Sequence, residues 1–122
     1  MREDIGLDIE VRDGIAILRS ALPLITDGQS ALDLLATIGY WHRVQRIALE
    51  KTVLSEDFFR LSTGIAGEVA QKFVNYGFRA AIWGDFSGYT SPALKDYLRE
   101  SNQGRHLCFV STLEEALQRL GG

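Results

Sequence analysis

Cysteine, proline and histidine are scarce in this chain, no long run of like charges occurs, and no apolar stretch is long; each scarcity excludes something. With Cys108 as the one cysteine, no disulfide forms within the chain. Its setting in the apolar run HLCFV, with no base or cation evident beside it, marks a buried, inert thiol rather than a nucleophile. No apolar run reaches the roughly 18 residues needed to span a bilayer. MREDIGLDIE lacks the apolar core of a signal peptide, so a soluble, cytoplasmic protein that does not engage a membrane is expected. Lys and Arg number 13 against 16 Asp and Glu, a net charge of -3, and the basic residues form no run along the sequence, which argues against nucleic acid as a partner. His42 and His106 fall in no metal-ligand spacing, and His42, beside Tyr40 and Trp41, reads as a packing or loop residue. There is no G-x-S-x-G elbow, phosphate-binding loop or dinucleotide fingerprint. No catalytic residue is named, no cofactor is implied, and the balance leans away from an enzyme.

What is present is an ordinary globular composition, 46% apolar and 24% charged, over a length suited to one α/β domain spanning 1–122. LDIEV and GIAIL have strand length and flank Arg12-Asp13-Gly14, an Asp-Gly hairpin signal. After Pro23, the segment LITDGQSALDLLATIGY places Leu32, Leu35 and Ile38 at helical spacing, with Thr26 or Asp27 as cap and Gly39 as stop. QRIALE and FRAAIWG read as strands. DFSGYTS is a loop, and Ser91-Pro92 begins a helix over PALKDYLRESN. RHLCFV is a last strand, followed by a capping-box pattern at Ser111 or Thr112 with Glu114 or Glu115, and then by LEEALQRL, ending at Gly121. The order ββαβαβαβα predicts a mixed sheet of about five strands with an N-terminal antiparallel hairpin and four helices.

The remaining helix is predicted over SEDFFRLSTGIAGEVAQKFVNYG. Phe58, Leu61, Ile65, Val69, Phe73 and Tyr76 recur at steps of three or four, Glu56 and Asp57 suit a first turn, and Gly77 a stop. Read this way it is one continuous helix from Ser55, with Thr63, Ala66, Gly67 and Ala70 as a small-residue flank for close packing or for a homodimer. The alternative starts the helix at Ser62, with FFRL as a preceding turn and Ser62 and Thr63 as exposed caps.

LITDGQSALDLLAT, SEDFFRLSTGIAGEVAQKFVNYG and GDFSGYTSPALKDYLRESNQGR resemble the signature segments of the bacterial family Domain of Unknown Function 4180, a likeness running from about Ile9 to Leu120. More distantly, the element order is similar to that of the STAS domains, the sulfate-transporter and anti-sigma-antagonist class. Their regulatory helix begins with an Asp-Ser-Ser-Gly-Leu-Gly type sequence, which Leu61-Ser62-Thr63-Gly64-Ile65-Ala66-Gly67 resembles. Leu61 stands in place of the acidic residue, and one extra residue separates the glycines. Aligned from Gly77 instead, Asp57 takes the acidic position and Phe58 that of the phosphorylated serine. The resemblance thus implies a regulatory or protein-interaction module, with Ser62 or Thr63 as the possible phosphosite.

In open α/β sheets, ligands bind beyond the carboxyl ends of the parallel strands. That rule selects Asp27, Ser55, Asp57, Asp85, Ser87, Tyr89 and Ser91 as contact residues, although Asp27, Ser55 and Ser91 are also explained as helix caps. Asp85 and Tyr89 are the strongest candidates, since DFSGYTS carries a carboxylate and an aromatic on a short exposed turn. Asp27, Asp57 and Asp85 could gather around Mg²⁺. Either a protein partner or a small ligand or anion held at helix N-termini would suit such a face.

Overall fold

The computed structural model describes residues 7–121. Strand β1 (Leu7–Arg12) pairs antiparallel with β2 (Ile15–Ser20). The two residues between them, Asp13 at φ 55° and Gly14 at φ 78°, are both left-handed, the turn whose twist matches that of the flanking strands. There follow α1 (Gly28–His42), β3 (Arg46–Glu50), α2 (Ile65–Asn75), β4 (Arg79–Trp83), α3 (Pro92–Asn102), β5 (Leu107–Val110) and α4 (Leu113–Gly121). The strands lie in sequence order, and β2 to β5 are mutually parallel. This is the mixed five-stranded sheet with four helices expected from the sequence.

Each parallel connection steps to the next strand in the same direction, so right-handed crossovers bring α1, α2 and α3 to one face. There Leu35, Ile38, Val69, Phe73 and Leu94 bury against Leu18, Ile47, Leu49 and Ile82. On the other face α4 sets Ala116 and Leu120 against Ile17, Ala48, Ala81 and Cys108, the small residues of β3 and β4 giving the helix room. Cys108 is buried, and that burial pushes its thiol pKa up, which disfavours the thiolate.

Two helix boundaries differ from the expectation. Helix α1 does not stop at Gly39 but runs on to His42, where Arg43 at φ 57° donates its N–H to the Gly39 carbonyl at 3.1 Å. Gly39 lies against the Phe78 ring, where a Cβ at 3.6 Å would make ordinary van der Waals contact. The long helix from Ser55 is broken. Its first half forms 3-10 turns at Glu56–Phe59 and Leu61–Thr63, and α2 begins only after Gly64, which sits at φ 79°. Phe58 and Phe59 are consecutive, yet both are buried, an arrangement tight turns satisfy more readily than one helical stripe. Phe58, Val69 and Phe73 do share the core, while Tyr76, the last of the periodic set, is 49% exposed.

The small-residue flank is likewise divided. Ala66 is buried, but Gly67 is exposed, with nothing within 4 Å of a Cβ built on it. The close approach between α1 and α2 occurs at Gly28, where a Cβ would meet the Glu68 Cβ at 3.1 Å and where the Gly28 N–H donates to Glu68 Oε1. Burying Val69 and Phe73 contributes about 1.5–3 kcal/mol each, more than the roughly 1 kcal/mol that an interior glycine costs. Tertiary burial therefore outweighs the poor propensity of this helix.

Candidate functional site

The register that sets Glu50 opposite Trp83 carries Lys51 and Gly84 past the ends of β3 and β4 side by side. A Cβ on Gly84 would fall 2.7 Å from the Lys51 Cβ, so a side chain there would displace the lysine. Lys51 Nζ lies 4.8 Å from the Tyr89 ring centroid, 5.7 Å from Phe59 and 5.9 Å from Phe86, and 3.7 Å from Glu56 Oε2. Tyr89 stacks on Phe59 at 5.0 Å and donates its hydroxyl to Glu56 Oε1 at 3.0 Å. The cluster thus ties the turn after β3 to the loop after β4 through one cation, one carboxylate and three aromatic rings.

Partial burial pulls the Lys51 pKa down, but Tyr89, Glu56 and Asp85 more than offset it, and the net shift is upward. Burial raises the Tyr89 pKa as well. Lys51 is therefore a charged ammonium, and Tyr89 a neutral phenol, throughout the neutral range.

The remaining sequence-selected residues are spread along the same end of the sheet. Asp85 accepts from the Ser87 hydroxyl at 2.6 Å and the Ser87 N–H at 2.9 Å; these bonds, with Lys51 nearby, hold its carboxyl below the ordinary value of 3.8. Asp57 accepts from Arg60 at 3.1 Å. The Ser55 N–H donates to the Ile25 carbonyl at 3.0 Å, while its hydroxyl is buried without a partner among the described residues. Asp27 caps α1 in a reciprocal box with Ser30, and hydrogen bonds from Ser30 lower its pKa. Ser91 caps α3, accepting from the Leu94 N–H at 3.2 Å. Thr112 and Glu115 cap α4 reciprocally.

Ser62 is exposed in the turn before α2. Thr63 is exposed too, but its hydroxyl lies 2.8 Å from the Arg60 carbonyl and 2.9 Å from the Asp57 carbonyl, and it accepts from the Ile65 N–H. The structure thus links Asp57 with Thr63, and Tyr89 with Glu56, but leaves Asp27 and Ser91 in local caps. The Mg²⁺ reading is overturned: among the described residues no three His, Cys, Asp or Glu side chains are grouped to hold a metal ion. Each aspartate instead turns to a neighbour on its own loop.

Lys51, Phe59 and Phe86 escaped sequence reasoning, because Lys51 reads as a strand-end charge, Phe59 falls off the apolar stripe and Phe86 lies in a loop. The one available signal was Gly84, a glycine directly after an apolar strand. An open cavity of about 480 Å³ adjoins the cluster, lined by Gly84, Asp85, Phe86, Ser87, Phe109 and Ser111 among others. Its walls offer polar contacts beside apolar surface.

Among the described residues no helix is long and apolar enough to cross a membrane. In fold, the chain is similar to the crystal structure of a proposed anti-sigma factor antagonist from Thermotoga maritima, with TM-score 0.54, 16% identity and 95% of each chain covered. It is also similar to the anti-sigma factor antagonist SpoIIAA in its unphosphorylated form, with TM-score 0.49, 16% identity, and 95% of this chain and 98% of that one covered. The first likeness establishes a STAS-like fold. No curated protein matches the sequence. Residues 12–120 match the family described as Domain of unknown function (DUF4180), and the chain belongs to that family.

Proposed function

We propose that this chain is a non-enzymatic regulatory module that binds a protein partner at the end of the sheet where β3 and β4 finish and α2 begins. The observation that carries the reading is the small, open surface at the start of α2. Ser62, Thr63, Gly64 and Gly67 are all exposed, and the space around Gly64 and Gly67 is free within 4 Å. A partner's side chains can approach the backbone there, while Asp27, Asp57, Asp85, Ser87, Tyr89 and Ser91 form the polar surround and the buried Ser55 hydroxyl lies beneath it. The STAS-like fold supports the same reading. Capture from native lysate with wild type, Gly67→Leu and Asp85→Ala is the test. Loss of one specific protein with both folded variants is expected; equal capture by all three contradicts the proposal.

A second reading, phosphorylation, is favoured at Ser62 over Thr63, because the Thr63 hydroxyl is engaged with the backbone on both sides. Mass analysis of protein purified from its own host should then place a phosphate on Ser62 in the peptide spanning Leu61 to Lys72. An unmodified peptide under all growth conditions contradicts it.

A further inference from the structure

At the opposite end of the sheet, three arginines surround one cavity. The α1–β3 loop, the hairpin turn, the α2–β4 loop and the first residues of β3 and β4 enclose about 420 Å³, lined by Arg43, Arg46 and Arg79 with Gln45, Gly14 and Gly77. No lining residue is acidic. The β3–β4 register sets Arg46 directly opposite Arg79, and the carbonyls that end α4 offset part of that paired charge.

Two of these side chains are held in place. Arg46 donates to the carbonyls of Leu120 at 2.9 Å and Asp13 at 3.1 Å, and Arg79 to those of Arg119 at 2.9 Å and Arg105 at 3.3 Å. Each contact uses one N–H and leaves others on the same fork. Gly14 permits the arrangement, since a Cβ there would lie 2.9 Å from Arg46 Nη2. The exposed Arg43 has no such anchor among the described residues and is free to close on a ligand. Guanidinium groups lining a cavity without carboxylates suit the oxygens of a phosphate group, which accepts paired N–H donors and carries more than one negative charge.

We propose that this cavity binds the phosphate group of an anionic ligand, at the end of the sheet opposite the surface assigned to the protein partner. A cavity of this size suits a small phosphorylated molecule. Tyr40 and Trp41, each 71% exposed and preceding Arg43 in the chain, would equally suit a phosphate presented by a lipid headgroup.

The test titrates the full chain with pyrophosphate and glycerol 3-phosphate at constant ionic strength in chloride, following tryptophan fluorescence and heat of binding. A parallel arm measures sedimentation with phosphatidylcholine vesicles with and without phosphatidic acid. Saturable binding that falls about tenfold or more in Arg43→Gln, and less in Arg43→Lys, is expected in at least one arm. Among the described residues the Arg43 side chain makes no hydrogen bond or ion pair, so Arg43→Gln should keep the wild-type melting temperature without ligand. Soluble esters binding alone identify a free ligand; vesicles binding alone identify a headgroup. The proposal is overturned by no binding above the chloride control in either arm, or by binding that Arg43→Gln leaves unchanged.

Discussion

Gly64 and Gly67 stand three residues apart and place opposite demands on a side chain. Gly64 holds φ 79°, where an L-residue is strained, whereas Gly67 lies in regular helix with open space around it. Gly64→Ala should therefore destabilise the protein by about 1–2 kcal/mol, while Gly67→Ala should stabilise it by up to about 1 kcal/mol. Denaturant unfolding of the two variants checks both signs. At this scale caps were the most legible feature, since Asp27, Ser91 and Thr112 announce themselves by residue type and spacing. The role of Lys51 was not legible, because Phe86 and Tyr89 meet it only through the register of β3 against β4, and Glu56 only through the turns that follow β3.

Among the elements, the strands and α3 follow from apolar runs and from the Ser-Pro start, but α2 does not begin where periodicity places it. Apolar residues at steps of three or four reveal which side faces the core; they do not distinguish an α-helix from tight turns that present the same side. Strand β5 carries a device with no sequence signal at all. At the outer edge of the sheet, the Asn102 side chain accepts from the Phe109 N–H at 2.6 Å and donates to the Phe109 carbonyl at 3.0 Å, standing in for a neighbouring strand. Asn102→Ala should cost about 1–3 kcal/mol by leaving those backbone groups unpaired, and should promote self-association through the freed edge. Sedimentation velocity at increasing concentration, with chemical denaturation alongside, measures both effects.

Over the whole molecule, the fold gathers arginines at one end of the sheet and, at the other, carboxylates, two of which pair with Lys51 and Arg60. Arg43, Arg46, Arg79 and Arg105 lie at the amino ends of the parallel strands, and Glu50, Glu56, Asp57 and Asp85 at or beyond the carboxyl ends. A linear scan finds no basic run because each loop contributes only one or two residues and the topology does the gathering. Acid stability belongs to this scale as well. Asp27 and Asp85 have folded pKa values below 3.8, so their contribution is present above that value and is lost as pH falls through the lower folded values. The melting temperature should drop as pH goes from about 5 to about 3, and Asp27→Asn should flatten that slope; an unchanged slope contradicts the assignment.

The central claim, a protein-interaction surface at the start of α2, is tested most directly by quantitative capture from native lysate. Wild type is compared with Gly67→Leu, a substitution that the open space around Gly67 allows the fold to accept. One partner bound by wild type should be lost with a folded Gly67→Leu variant and retained with Arg43→Gln at the far end of the sheet. Identical capture by wild type and Gly67→Leu would contradict it.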